Sequence, residues 1–235
     1  MTTHAEPMAD VSDMYMAHGM FRREFGLIPG LVRGVPDGDQ KRARVVGYHI
    51  DLLRRILHAH HEGEDSILWP KLRERGGREA TAIVPTMVGQ HEAIEERLAR
   101  AGELLPGWRA TARGGAEFAE VFDKLFSVLD EHMAMEEKEI LPLAGKYITA
   151  AEWKGLGQHG ISVLKGRELP LSFGLVMYEA DPDVVKSVLK EAPLPARVLV
   201  PRIAPRMFAA HAKRVHGTAT PPRATGSGGS RINQP

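Results

Sequence analysis

A chain of 235 residues, 43% hydrophobic and 26% charged, has room for one packed domain plus an extension. It contains no cysteine, which excludes disulfides, thiolate metal sites and a cysteine nucleophile, and no apolar run approaches the ~18–20 residues of a membrane span. The net charge of +1 hides an asymmetry: from Pro182 onward nine Lys or Arg face two acids, so an acidic body carries a basic end.

Helical spacing dominates. From Val11 to about Val35, Met14, Met20, Phe21, Phe25, Ile28, Leu31 and Val32 recur at three- and four-residue steps, until Gly34, Pro36 and Gly38 break the pattern. A second helix is predicted from Asp39 to Gly76-Gly77, kinked late by Pro70. A third spans about Arg78 to Leu105, with "PGWRATARGG" as a loop, and a fourth about Ala116 to Tyr147, with a late Pro142. Shortish connections between four long helices imply an all-α fold, an antiparallel up-down four-helix bundle over residues 10–150.

A C-terminal helical extension over 151–217 and a disordered Gly/Ser/Pro-rich tail over 218–235 complete the expected layout. Thr149-Ala150-Ala151-Glu152 has the form of a capping box, and Asp181-Pro182 that of an N-cap and first helical residue. "LPLSFGLVMYEA" reads as extended or helical, and prolines 193, 195, 201 and 205 are expected to chop up the stretch before "RMFAAHAKRVHG". So apolar a piece calls for cover. It is expected to pack along the bundle and help cover or gate one end of it, or else to make a dimer contact.

The chemistry lies in a repeat. His60-x-x-x-Glu64-Asp65, followed by Leu68 and Pro70, recurs 72 residues later as His132-x-x-x-Glu136-Glu137, followed by Ile140 and Pro142. His18 and His91, offset by 73, open similar stretches, "HGMFRREF" and "HEAIEERL". Residues four apart on a helix differ by about 40° around its axis and ~6 Å along it, so each His and Glu project side by side. Leu53 and Leu125 lie seven residues before His60 and His132, within ~20° of them, which continues the apolar stripe into the histidines. Unpaired imidazoles and carboxylates in a core are costly, and a cation is the natural compensation. His61, ~100° from His60, can reach a second ion beside the first. The predicted arrangement puts His18 and His60 on one ion, His61, His91 and His132 on the other, and Glu64 and Glu136 across both. An isolated HxxxE is ordinarily a surface ion pair; two in phase, each with a matching histidine one helix earlier, are not. Glu95 suits a surface role. His49 points inward but too far up its helix, and His4, His58, His159, His211 and His216 are expected not to be ligands.

At these residues the sequence resembles the hemerythrin-like, or HHE cation-binding, family, in particular the subset described in actinobacteria, including mycobacteria. "RREF", "HHEGEDSILWP", "QHEAIEERL" and "EHMAMEEKEILPLA" are similar to what that family carries beside its ligands. The resemblance covers about residues 10–150 and implies a bundle around two iron ions, oxo-bridged, that bind or react with dioxygen, hydrogen peroxide or nitric oxide. Enzymatic turnover, if present, is then catalase-like or of the nitric-oxide-peroxidase kind; the alternative is a sensor module without turnover. His/Glu ligands also accept manganese or zinc. Two departures from the oxygen carriers stand out: Glu95 where they have a second histidine, and Glu136 four residues after His132 where they have an aspartate five after. Ferritin-type chemistry is set aside, because no histidine here follows a Glu by three. The basic end lacks interleaved aromatics, so no nucleic-acid partner is expected. No membrane partner is expected either, no signal peptide is evident, and the picture is of a cytoplasmic monomer or homodimer.

Overall fold

The computed structural model describes residues 6–224, and every regular element among them is helical. Four long stretches form the core: α1 Ser12–Arg33, α2 Gln40–Gly63 continued by α3 Trp69–Arg75, α4 Gly77–Thr111, and α5 Gly115–Met135 continued by α6 Leu141–Tyr147. α7 Ala150–Ser162, α8 Glu168–Met177, α9 Pro182–Glu191 and α10 Leu194–His216 come next. α1 packs on α2 and α5, and α4 packs on the same two helices. Phe21, Phe25, Leu53, Leu57, Leu98, Phe122, Leu125 and Leu129 fill the space between them. Each such side chain contributes about 1.5–3 kcal/mol by leaving water. Ion pairs register the helices from outside: Arg22 with Asp130 and Arg33 with Asp123 join α1 to α5. Arg54 donates to the Leu98 carbonyl and joins α2 to α4.

The late prolines do more than kink. Glu64–Leu68 and Glu136–Ile140 are each a π-helical turn, and the helix resumes at Trp69 and Leu141 with the proline in its first turn. A proline cannot donate to the carbonyl four residues back and its ring collides with it; a widened turn just before it relieves both problems. The 72-residue repeat therefore extends to the backbone, with each glutamate of the motif at the first position of a π-turn.

Several boundaries differ from expectation. α4 runs through Pro106 to Thr111, so most of "PGWRATARGG" is helix, and only Ala112–Gly114 connects to α5. Trp108 explains it: the indole is buried and packs on Phe118 at 5.1 Å, and the chain stops at Ala112, whose φ of 51° ends the helix. α10 is one helix despite its prolines. Pro195 sits in its first turn, while Pro201 and Pro205 lie on the exposed side, where the freed carbonyls reach water. The capping box at Thr149–Glu152 and the Asp181 N-cap are present as predicted.

"LPLSFGLVM" forms α8, with Leu171 and Leu175 buried in the main core, and α8 packs on α10 and α1. Leu169 at the start of the segment stays exposed, and a longer run of exposed apolar residues, Leu194, Val198, Leu199 and Ile203, lies on α10. Part of the segment expected to be disordered is placed: the Pro221 carbonyl accepts from Tyr178 Oη at 2.9 Å, and the Ala224 amide donates to Glu179. His4 and residues 225–235 lie outside the described residues.

Gly174 sets the α8–α10 distance. A Cβ there would collide with the Ala204 carbonyl oxygen and lie 2.8 Å from Phe208 Cβ, both on α10. Gly174→Ala is expected to cost about 1–3 kcal/mol, lowering the melting temperature by several degrees and exposing the extension to limited proteolysis. An unchanged melt and digestion pattern would show that the two helices are not held this closely.

Candidate metal centre

The two π-turns and the helices before them bring all seven sequence-predicted residues into the core. His18 comes from α1, His60 and His61 from α2, Glu64 from the first π-turn, His91 from α4, His132 from α5 and Glu136 from the second π-turn. They fall into two groups, His18–His60–Glu136 and His61–Glu64–His91–His132, in each of which the candidate ligand atoms lie within 4.8 Å of one another. The groups adjoin. Glu64 reaches His60 Nε2 through Oε1 at 3.1 Å and His91 Nε2 through Oε2 at 3.3 Å. Glu136 Oε2 lies 3.2 Å from His18 Nε2 and 3.7 Å from His132 Nε2. The His91 and His132 Nε2 atoms are 3.3 Å apart, and the His61 and His91 rings stack at 4.1 Å.

Burial makes this arrangement costly unless a cation, or protons in its place, offsets the buried polar groups. The side chains of His18, Glu64, His132 and Glu136 have no exposure, and His60, at 14%, is the most open of the seven. His18 Nε2, His60 Nε2, His61 Nδ1 and all four carboxylate oxygens of Glu64 and Glu136 are buried without a directed hydrogen bond. Buried polar atoms are otherwise almost always satisfied.

A second layer of side chains aims the rings. His18 Nδ1 donates to Glu137 Oε1 at 2.9 Å, which also accepts from Arg22 Nη1 at 2.6 Å. His91 Nδ1 donates to Asp65 Oδ1 at 2.9 Å, which also accepts from Trp69 Nε1 at 2.8 Å. His132 Nδ1 donates to Gln90 Oε1 at 3.2 Å. Each contact fixes the proton on Nδ1 and turns the Nε2 lone pair inward, as metal-binding histidines require. Asp65 and Glu137 are the paired acids of the 72-residue repeat. Their signal was in the sequence, but a carboxylate next to a candidate ligand reads equally well as solvated surface. Gln90 carried no signal.

Without a cation, protons take its place. Burial opposes the charge on His18 and is outweighed by Glu136 and Glu137, so its pKa rises to about 9; His91, against burial, is raised to about 9 by Asp65 and Glu64. Burial and neighbouring positive charge push His60 down to about 3 and His61 well below the ordinary range. Burial likewise lowers His132 to about 3. Burial and the nearby Glu136 raise Glu64 to about 7.

Other residues sort more simply. Glu95 Oε2 accepts from the exposed His58 at 3.0 Å, while its Oε1 stops 4.0 Å from His61 Nδ1. α7 covers the metal end. Leu156 and His159 lie against Gly63, where a Cβ would sit 2.9 Å from Leu156 Cδ1, and the Trp153 indole donates to Asp13. α8 and α10 pack further along α1 and α2, because their apolar faces meet the core around Phe25 and Arg23.

Helices that aim histidines and carboxylates into one buried volume define a metal-binding helical domain. The family model for the hemerythrin HHE cation binding domain matches residues 9–144, well over half of the chain, and the chain belongs to that family. Domains of this kind bind metal cations, usually iron, and small ligands such as dioxygen at the metal. Comparison with curated proteins and with solved structures gave no match. Among the described residues no helix is long and apolar enough to cross a membrane.

If the second layer fixes ring orientation, Glu137→Gln and Asp65→Asn should each weaken metal binding about 10–100-fold in competition with a chelator. Glu139→Gln, on the exposed side of the same π-turn, should leave it unchanged. Equal affinities in all three variants would remove the orienting role.

Proposed function

We propose that this chain is a non-haem di-iron protein that binds or turns over small oxidants, with hydrogen peroxide and nitric oxide ahead of simple dioxygen carriage. His18 and His60 would hold one ion, His61, His91 and His132 the other, with Glu64 and Glu136 placed to serve both. The observation that carries this reading is Glu64, fully buried, with one oxygen toward each group of histidines. Two-metal centres have ions ~3.5–4 Å apart, a span one carboxylate covers. Iron in such a site supplies redox cycling and an open position for a small molecule. The chain's residues do the rest: the Nδ1 contacts hold ring orientation, the apolar shell excludes water, and the partly open edge at His60 gives access beside the ion with fewer imidazoles.

An up-down order of the four helices fits the same contacts. His18 and Glu24 of α1 meet His60 and His49 of α2, and Arg22 and Arg33 meet Asp130 and Asp123 of α5. His58 and Arg54 of α2 meet Glu95 and Leu98 of α4. In every pair the contacts ascend one helix while descending its neighbour. The absence of cysteine suits a reducing, cytoplasmic setting.

Mixing the iron-loaded protein with hydrogen peroxide under stopped flow, with an oxygen electrode in parallel, tests the reading. Repeated peroxide consumption with oxygen release is expected. A single spectral change without turnover would favour a sensor, and no spectral response to peroxide or nitric oxide would overturn both.

A further inference from the structure

A second buried cluster stands well apart from the centre described above. Glu24 of α1, His49 of α2 and His216 of α10 bring a carboxylate oxygen and two ring nitrogens within 4.8 Å of one another. Glu24 lies six residues beyond His18, and His49 eleven residues before His60, or ~9 Å and ~16 Å along their helices. His49 Nε2 is 3.1 Å and His216 Nε2 3.2 Å from the same atom, Glu24 Oε2. Neither contact has hydrogen-bond direction: Glu24 Oε2, His49 Nε2 and His216 Nε2 are all buried without a partner. Two nitrogens and an oxygen each ~2.1 Å from one ion lie about 3.0–3.4 Å apart in octahedral to tetrahedral geometry, and both nitrogen–oxygen distances here fall in that range.

We propose that Glu24, His49 and His216 form a mononuclear site for a zinc-like divalent cation, which clips the last turn of α10 to the four-helix core. Two imidazoles and one carboxylate are a recognised donor set for such an ion, with water completing the shell. The surroundings are built for it. His211 Nε2 lies 3.0 Å from His49 Nδ1, so His49 can donate from Nδ1 and present the Nε2 lone pair to the ion. Arg23, itself buried, donates to Glu24 Oε1 at 2.8 Å and to Glu179 Oε1 at 2.6 Å, which fixes the carboxylate and leaves Oε2 free. Arg42 holds the end of α10 in place by donating to the Arg214 and Val215 carbonyls. The cluster joins residues up to 192 positions apart in the chain, and an ion there would tie the extension to the core.

Zinc titration of full-length protein stripped with a chelator tests this. Three sets of samples are needed: wild type, His216→Ala and Glu24→Gln, and a Glu64→Ala/Glu136→Ala double variant that dismantles the other centre. His216 is the last residue of α10, with Gly217 closing the helix, so its truncation removes no interior helix turn, and folding of each variant is checked by circular dichroism. The expected result is one fewer zinc ion per chain in both His216→Ala and Glu24→Gln than in wild type, and that one ion retained in the double variant. Zinc should also protect α9–α10 from limited proteolysis in wild type and in the double variant but not in His216→Ala. Wild-type stoichiometry in His216→Ala, or a double variant that binds no zinc, would overturn the proposal; neither bears on whether the Glu64 centre holds iron.

Discussion

Removing the metal at pH 8 is expected to lower the melting temperature by about 8–16 °C for each ion lost, and the gap should widen as pH rises from 6.5 to 9. The first figure rests on tight binding: a ligand at 1,000 times its dissociation constant contributes about 4 kcal/mol per site, and 1 kcal/mol moves the melt of a chain this size by ~2–4 °C. The pH dependence comes from the protons on His18 and His91. Their folded pKa values are raised to about 9 from 6.5, so the stability they give the metal-free protein is complete below pH 6.5 and is lost as pH climbs through 9. Glu64, raised to about 7 from 4.5, acts in the same direction over a lower window. Metal displaces these protons, so the loaded protein escapes the loss, and its affinity gains about tenfold per pH unit for each proton released. Below pH 6.5, His60 and His132, held down to about 3, cost folded stability as the unfolded chain takes up protons. Calorimetric melts of loaded and stripped protein at pH 6.5, 8 and 9 check this. A gap that narrows with pH would mean that the protons sit elsewhere.

Glu64→Ala is expected to have the largest effect of any single substitution at the centre. It removes the carboxylate that faces both groups, through Oε1 toward His60 and Oε2 toward His91. It leaves five buried imidazoles with Glu136 as the one remaining core carboxylate of the set. Metal content should fall from two ions per chain to below one, with the melting temperature moving to that of the stripped protein. Glu95→Ala should retain both ions, since Glu95 belongs to neither group of ligands and its Oε2 pairs with the exposed His58. Equal metal content in the two variants would show that the bridge has been assigned to the wrong residue.

The legible part of this protein was what repeats locally. The 72-residue offset picked out His60, Glu64, His132 and Glu136, because residues four apart on a helix must share a face whatever the tertiary structure. His61 was legible only by asking what a second ion needs. The π-turns were not legible, since periodicity over five residues does not separate a wide turn from an ordinary one, although Pro70 and Pro142 marked the place. Pro201 and Pro205 misled for a related reason: a proline is costly in a buried helix turn and tolerable on a solvated one, and exposure is a tertiary property. The pattern correctly placed His49 inward, yet nothing local could show that His211 and His216 would fold back onto it. Such contacts depend on α8 filling the space beside Arg23 and Phe208.

The central claim is that the His/Glu cluster holds two iron ions. Metal analysis combined with an optical spectrum of freshly purified protein tests it most directly. The account predicts two irons per chain, counted apart from any zinc, with ligand-to-metal charge-transfer absorption that disappears in Glu64→Ala. A colourless protein, or one with less than one iron per chain and an unchanged spectrum in Glu64→Ala, would contradict it.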